Sequence, residues 1–204
     1  ITTILGATAD KTWLDRWIQS VGVEEAERIK NDAARRGTKV HDYLERFYEE
    51  YPQATKQDAK SFIKESGLAT EPMFIRRMVV ELLKHLLANQ FHSLAQEIVV
   101  WDDELEIAGR CDSIGYLKNN LYVIDYKTAR KEKQIKFIRD YFLQASFYTN
   151  SYNKMFGENI NQFAILIANE QGGSQVFTGN PQVYLPELKR RVKMFYEQKK
   201  TQRD

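Results

Sequence analysis

Three short segments rich in β-forming residues follow one another in the middle of the chain, and their order most constrains the fold. They cover residues 94–101, 105–116 and 121–127, and short polar turns separate them. Turns of this length are typical of antiparallel neighbours rather than of crossover connections. The sequence therefore predicts a three-stranded meander.

Helical patterns precede and follow this meander. Before it, helices are predicted over residues 11–20, 24–50, 57–64 and 72–87, with Gly37 expected to interrupt the second helix and Thr38 to cap its continuation. After it come a helix over residues 134–155, strands over 163–168 and 175–178, and a helix over 186–200. This order predicts an α/β fold in which helices flank a mixed sheet.

A chain of 204 residues is long enough for one substantial core and too short for two catalytic domains. Its four prolines and ten glycines form no cluster that would indicate a linker. We therefore expect a single domain over residues 1–204, in which residues 1–90 form a helical lobe and residues 91–204 form an α/β core.

Charge and cysteine content restrict the class of protein. The net charge of +2 is too small to indicate nucleic acid by itself, but residues 127–139 carry six basic side chains against one acidic side chain. Such a run is either a solvated helix face or a surface that follows phosphates. The single cysteine, Cys111, excludes an internal disulfide and a four-cysteine zinc or iron–sulfur site.

No segment approaches the roughly 18 apolar residues of a membrane span, and no signal peptide pattern is present. We expect an intracellular, soluble protein without a membrane partner. Because the sequence begins at Ile1 rather than Met, import into an organelle stays open.

Candidate catalytic residues lie on two consecutive predicted strands. Asp125 and Lys127 point to the same side of their strand because side chains alternate, and the preceding hairpin can bring Asp112 beside Asp125. Two adjacent carboxylates suit a hard divalent cation such as Mg²⁺ or Mn²⁺, and a lysine beside it can orient an attacking water. An isolated D-x-K is more often a turn-proximal acid with a surface lysine, so this motif alone is weak.

Further motifs accompany the D-x-K in a fixed order. His41 lies in a predicted helix, Glu97 in a strand, Asp112 ends the G-x-x-D motif of residues 109–112, and Gln144 and Tyr148 share a helix face. Together these resemble the RecB-like branch of the PD-(D/E)XK nuclease superfamily. Residues 2–5, 13–17 and 36–38 further resemble the mitochondrial genome maintenance exonucleases and their phage-borne relatives within that branch.

The resemblance implies a restriction-endonuclease-like fold with a metal bound by His41, Asp112, Asp125 and the backbone carbonyl of Tyr126. It implies that Lys127 acts on the water. Glu97 would bind a second cation or hydrogen-bond a ligated water, and with Asp112, Asp125 and Lys127 it completes the expected catalytic set. Without the rest of the pattern, His41 would be interpreted as a surface or core histidine.

The resemblance also implies contacts with substrate. Gln144 and Tyr148 would support the lysine and the substrate backbone, although they also suit the polar margin of a packing helix. Further expected contacts come from basic and polar side chains near the motifs: Arg36, Thr38, Arg130, Lys131 and Lys133. The chain lacks the cysteine quartet of several larger relatives, so we expect no iron–sulfur cluster.

The expected function is a Mg²⁺- or Mn²⁺-dependent DNA exonuclease that prefers single-stranded ends, in a host cytoplasm if phage or bacterial and in the mitochondrial matrix if organellar. Trp13, Trp17 and Tyr43 could stack on unpaired bases or belong to the core. A structure-selective endonuclease or junction resolvase of the same fold would need the same metal site but no free end. A non-catalytic DNA-binding module would show no metal-dependent hydrolysis.

Overall fold

A five-stranded mixed sheet forms the centre of the molecule in the computed structural model, which describes residues 1–201. The strands are β1 (His92–Asp102), β2 (Ile107–Leu117), β3 (Asn120–Ala129), β4 (Phe163–Asn169) and β5 (Ser174–Gly179), in the spatial order β1-β2-β3-β4-β5. Strands β3 and β4 pair in parallel, and the other neighbouring strands pair antiparallel. The structure confirms the meander and the mixed sheet.

Helices surround this sheet in chain order. They are α1 (Thr2–Thr8), α2 (Thr12–Val21), α3 (Val23–Glu50), α4 (Lys56–Glu65), α5 (Met73–Ala88), α6 (Arg139–Phe156) and α7 (Pro181–Thr201). Helix α6 connects β3 to β4 and thereby permits their parallel pairing, which a short hairpin cannot provide. Among residues 1–201, none of the helices combines the length and the hydrophobicity that a membrane span requires.

Each face of the sheet is covered by a separate hydrophobic core. Helices α3 and α5 cover one face, where Leu44 and Phe47 belong to the same buried cluster as Ile124 of β3. Helices α1, α6 and α7 cover the other face, where Leu143 and Ile165 share a second cluster. The molecule is thus a three-layer sandwich.

Two predicted helix starts and one predicted break differ from the structure. Helix α3 continues through Gly37 and Thr38 without a break, because burial of Val40 and the residues beyond it outweighs the roughly 1 kcal/mol that a helical glycine costs. Helix α6 starts at Arg139 rather than at residue 134, after a short 3-10 turn at Ile135–Phe137. Helix α1 had no counterpart among the predicted helices.

Helix α7 begins at Pro181, five residues before the predicted start at Pro186. The Asn180 side chain accepts a hydrogen bond from the backbone N–H of Gln182 at 2.9 Å, as a capping residue does. Pro181 suits the first turn of a helix, and Pro186 is held inside it while Leu185 and Leu188 are buried on either side. Burial of these leucines therefore outweighs the tendency of Pro186 to interrupt the helix.

The sheet opens between β2 and β3. Their backbone pairing ends at Ser113 and Ile124, so the next pair, Asp112 and Asp125, is not joined by the ladder. From there β2 continues beside β1 and β3 continues beside β4. Oδ2 of Asp112 accepts a hydrogen bond from the Tyr126 N–H at 2.6 Å and so replaces the missing backbone contact. We call this opening the fork.

Candidate active site

Three side chains able to bind a metal converge at the fork from three different elements. They are His41 of α3, Glu97 of β1 and Asp112 of β2, and their ligand atoms lie within 4.8 Å of one another. Nδ1 of His41 is 3.5 Å from Oδ1 of Asp112 and 4.0 Å from Oε1 of Glu97. One helix and two strands therefore point imidazole and carboxylate groups at a common position.

Asp125 and Lys127 lie beside this group on β3. The Asp125 side chain is 1% exposed, and its Oδ2 forms an ion pair with the Lys127 ammonium, whereas its Oδ1 has no hydrogen-bond partner within residues 1–201. The Lys127 Nζ also lies 5.3 Å from the centre of the Tyr141 ring, within cation–π range. A buried carboxylate with free acceptor capacity is expected where a cation binds.

The backbone of Tyr126 connects the two groups. Its N–H donates to Asp112, and its carbonyl oxygen lies 3.0 Å from Nε2 of His41. When Nε2 carries the imidazole proton, it donates to this carbonyl and leaves the Nδ1 lone pair facing the carboxylates. The position of Tyr126 thus orients both His41 and Asp112.

Burial and mutual repulsion shift the ionisation of the acids. Burial raises the pKa of Asp125 to about 6; the charge of Asp112 adds to the increase and Lys127 opposes it. Burial and the charge of Asp112 also raise the pKa of Glu97, against the opposing charge of Arg110. Carboxylates that resist ionisation together are stabilised as anions by a divalent cation.

Asp112 differs from the other two acids. Burial alone would raise its pKa, but the hydrogen bond and charge of His41, with the charge of Lys127, outweigh burial and lower it. The same contact with Asp112 outweighs burial at His41 and raises the pKa of the imidazole. Burial likewise lowers the pKa of Lys127, but the charges of Asp125 and Asp112 raise it overall, so the side chain is an ammonium.

The donor set fits a hard divalent cation. Two or three carboxylates and one imidazole satisfy the preferences of Mg²⁺ and especially Mn²⁺, whereas zinc sites of known type rely more on thiolate and histidine. The free acceptor capacity of Asp125 is the observation that argues most directly for such an ion.

Comparison with known protein families finds a match over most of the chain. The family model of the PD-(D/E)XK nuclease superfamily matches residues 16–198. The chain belongs to this superfamily. A search of curated proteins finds no significant match.

Two solved structures are similar to this PD-(D/E)XK protein. One is a candidate exonuclease from Eubacterium rectale, with 14% identity and a TM-score of 0.48 over 79% of this chain and 66% of that protein. The other is a protein named SSO0001, with 16% identity and a TM-score of 0.36 over 74% of this chain and 84% of that one. The chain thus spans less than two thirds of the E. rectale protein's length.

Several residues at the candidate site were not found from the sequence. The guanidinium of Arg110 pairs with Glu97, with Nε 2.6 Å from Oε2, although Arg110 stands inside the G-x-x-D motif where it could have been considered. Glu97 itself has a φ of 50°, a left-handed conformation that a non-glycine residue seldom adopts and that often marks functional sites. Tyr141 was missed because only the fold brings it to Lys127.

A polar contact joins β1 and β2 next to the acids. Gln96 precedes Glu97 on β1, and its Nε2 donates to the hydroxyls of Ser93 at 2.7 Å and Ser113 at 2.6 Å. Since Gln96 and Ser113 are the neighbours of Glu97 and Asp112, this contact fixes the relation of β1 to β2 at the fork.

Gln144 and Tyr148 lie on α6 near the acids. Nε2 of Gln144 donates to the Tyr148 hydroxyl at 2.9 Å and to the Thr2 hydroxyl at 3.0 Å. Burial raises the pKa of Tyr148, and the charges of Asp125 and Asp112 raise it further. The pair therefore borders the site, while the ring beside Lys127 is that of Tyr141. The role of Gln144 and Tyr148 towards substrate stays a prediction.

The predicted phosphate-binding residues divide into two sets. Arg36 is buried, with Nη1 2.6 Å from Oε1 of Glu170 and Nε 3.4 Å from the Thr128 hydroxyl. The others are exposed: Thr38, Arg130, Lys131 and Lys133. The backbone of Lys133 is fixed by two hydrogen bonds with the Gln175 side chain, so the loop after β3 is anchored to β5.

The three aromatic residues considered for base stacking, Trp13, Trp17 and Tyr43, differ in exposure. Tyr43 is buried in the core beneath α3, which agrees with the alternative that it is a core residue. Trp13 is 67% exposed, and α2 as a whole has no buried residue. Of the three, Trp13 therefore has the most ring surface available for stacking.

Proposed function

We propose that this protein is a divalent-metal-dependent deoxyribonuclease that degrades single-stranded DNA from a free end. The observation that carries the proposal is the convergence of His41, Glu97 and Asp112 beside the buried Asp125–Lys127 pair in a member of the PD-(D/E)XK nuclease superfamily. Strand-borne acids, a helix-borne histidine and a fixed ammonium form a set suited to phosphodiester hydrolysis.

His41, Asp112 and Asp125 would hold Mg²⁺ or Mn²⁺, with Glu97 as a further ligand or as the acceptor of a bound water. When bound, the cation lowers the pKa of a water and neutralises charge on the phosphoryl group. The Tyr126 carbonyl is the remaining candidate ligand, and in the structure it contacts His41. In this proposal His41, Asp112 and Asp125 are the ligands, and the Tyr126 backbone orients His41 and Asp112.

Lys127 would act on the attacking water and the phosphoryl oxygens. Its ammonium is held by Asp125 on one side and faces the Tyr141 ring on the other, which restricts its rotamers. A protonated lysine donates hydrogen bonds and cannot serve as a general base. Its contribution is therefore to position the water and to stabilise developing negative charge.

We infer a preference for unpaired strands from the position of helix α3 beside the acids. Helix α3 brings His41 to the strand-borne acids, and in this proposal substrate enters between the helix and the fork. A single strand fits such a passage more readily than a duplex, and the exposed Trp13 offers a surface on which an unpaired base can stack.

The test compares linear single-stranded DNA with the same sequence closed into a circle, at equal Mg²⁺ and salt, with a blunt duplex as a third substrate. We expect rapid loss of the linear single strand, a resistant circle and slow loss of the duplex. Equal rates on circle and line would reject the requirement for an end and favour a structure-selective endonuclease.

A further inference from the structure

A cavity of about 470 Å³ lies beside the active site, between α3, the beginning of α5 and the ends of β3 and β4. Basic side chains dominate its lining: five cations face two carboxylates, Asp32 and Glu170. The cations are Arg28, Arg35, Arg36, Lys39 and Arg130. This basic cavity contains none of the proposed metal ligands.

The basic cavity is close to the proposed metal ligands along two elements. Arg36 precedes His41 by five residues of α3, a rise of about 7.5 Å, and Arg130 follows Lys127 by three residues, roughly 10 Å along an extended chain. Arg36 also contacts the hydroxyl of Thr128, the residue after Lys127. A strand whose phosphodiester lay at the acids would have its adjoining nucleotide within reach of this cavity.

The carboxylates near the cavity leave positive charge in excess. Three of the five cations are paired: Arg36 with Glu170 at 2.6 Å, Lys39 with Glu71 at 2.5 Å, and Arg28 with Glu25 at 2.6 Å and Asp32 at 3.1 Å. Arg35 has only a long contact of 3.4 Å with Asp32, and its side chain is 72% exposed. Arg130 makes no ion pair with any group in residues 1–201. These two guanidinium groups are therefore available to an anionic ligand.

Apolar surface accompanies this charge. Phe74, at the start of α5, is 38% exposed and lines the cavity together with Ile29 and Pro72. Guanidinium groups recognise phosphate oxygens, whereas an exposed ring accepts the face of a base. The combination suits a nucleotide better than it suits a simple anion.

We propose that the basic cavity binds a phosphate of the substrate strand next to the cleaved phosphodiester, through Arg35 and Arg130, with the attached base against Phe74. This inference rests on the proposed function, because it assumes that the protein's ligand is a nucleic acid strand. It adds a second contact for the strand, and that contact holds the strand in register with the acids.

Binding without cleavage tests this site. The anisotropy of a fluorescein-labelled oligothymidine is measured in EDTA over a range of salt concentrations, for the wild type and for Arg35→Ala, Arg130→Ala and Phe74→Ala. Arg190→Ala on α7, also exposed, removes an identical charge far along the chain and serves as the matched control. Since the substituted side chains are exposed, melting temperatures should be unchanged.

We expect each arginine variant of the cavity to raise the Kd roughly threefold and to reduce the slope of log K against log salt by about one. Phe74→Ala should raise the Kd without changing the slope, and Arg190→Ala should match the wild type. Cavity variants that bind like the control would overturn the inference.

The outcome separates this inference from the proposed function. A wild type that binds the oligothymidine through the cavity but cleaves nothing in Mg²⁺ would reject the nuclease and keep the site. A wild type that cleaves, with cavity variants of unchanged affinity and slope, would reject the site and keep the nuclease.

Discussion

Asp125 is a buried carboxylate whose pKa lies well above its ordinary value. Its pKa is raised from the ordinary 3.8 to about 6, so the folded, metal-free protein holds this proton more tightly than the unfolded chain does. The stabilisation of the folded protein that this proton provides is fully present below pH 3.8 and is lost as the pH rises through about 6. The raised pKa values of Glu97 and His41 act in the same direction.

In EDTA, we therefore expect the free energy of unfolding to fall by on the order of 2 kcal/mol between pH 4 and pH 7.5 because of Asp125. The lowered pKa of Asp112 works against this trend only below its ordinary value of 3.8. Thermal melts at several pH values measure the effect. Asp125→Asn should flatten the profile, and an identical profile for this variant would contradict the assignment.

Lys127 is predicted to act in the reaction rather than in binding the cation. Lys127→Ala should lower the rate of cleavage by roughly 100-fold or more, because a preorganised donor to the water and phosphoryl oxygens is lost. Titration of Mn²⁺ by calorimetry should show a much smaller change in affinity. The exposed Lys64 provides a control, and Lys64→Ala should cleave at the wild-type rate.

The part of the site predictable from sequence is the part that follows from alternation along one strand. Asp125 and Lys127 point the same way because they are two residues apart, and the structure joins them as an ion pair. Arg110 and Tyr141 reach the site through contacts between different elements. No spacing rule predicts those contacts from a single sequence.

At the scale of elements, helix α3 is the helix that contributes a candidate metal ligand at the fork. It supplies His41, whereas the acids come from β1, β2 and β3, so a bound cation would link the helix to the sheet. His41→Ala should weaken Mg²⁺ binding and reduce the rise in melting temperature that the cation produces. Excess Mn²⁺ should restore part of the activity. Absence of any Mn²⁺ response would assign His41 a structural role.

Gly109 shows how the G-x-x-D motif also serves packing. A Cβ at this position would lie 2.8 Å from a ring atom of Tyr148 and 3.3 Å from one of Phe147, so α6 would have to move away from β2. Gly109→Ala should lower the free energy of unfolding by about 1–3 kcal/mol. Gly6→Ala is the matched control, because its Cβ meets nothing within 4 Å and alanine favours helix α1. Denaturant melts compare the two.

Helix limits were predicted less well than helix existence. Gly37 and Pro186 are residues that normally end helices, yet both lie inside one, because neighbouring side chains are buried against the sheet or against other helices. Local sequence carries the cost of such a residue but not the burial that compensates for it.

At the scale of the whole molecule, the layer order was predictable because the pattern of helices and strands limits how a sheet can be covered. The fork was not. Its position depends on where the pairing of β2 and β3 ends, and a single sequence leaves strand register open. Yet it is at the fork that the Asp112 carboxylate accepts a hydrogen bond from the Tyr126 N–H and that His41 of α3 lies beside the acids.

The central claim is that the acids at the fork support metal-dependent hydrolysis of DNA. It is tested by incubating end-labelled single-stranded DNA with the wild type, Asp112→Asn, Asp125→Asn and the control Arg190→Ala, with Mg²⁺ or with EDTA. We predict that the wild type and the control degrade the DNA only with Mg²⁺, while both asparagine variants keep their fold and lose at least roughly 100-fold in rate. Degradation in EDTA, or an asparagine variant that cleaves at the wild-type rate, would contradict the account.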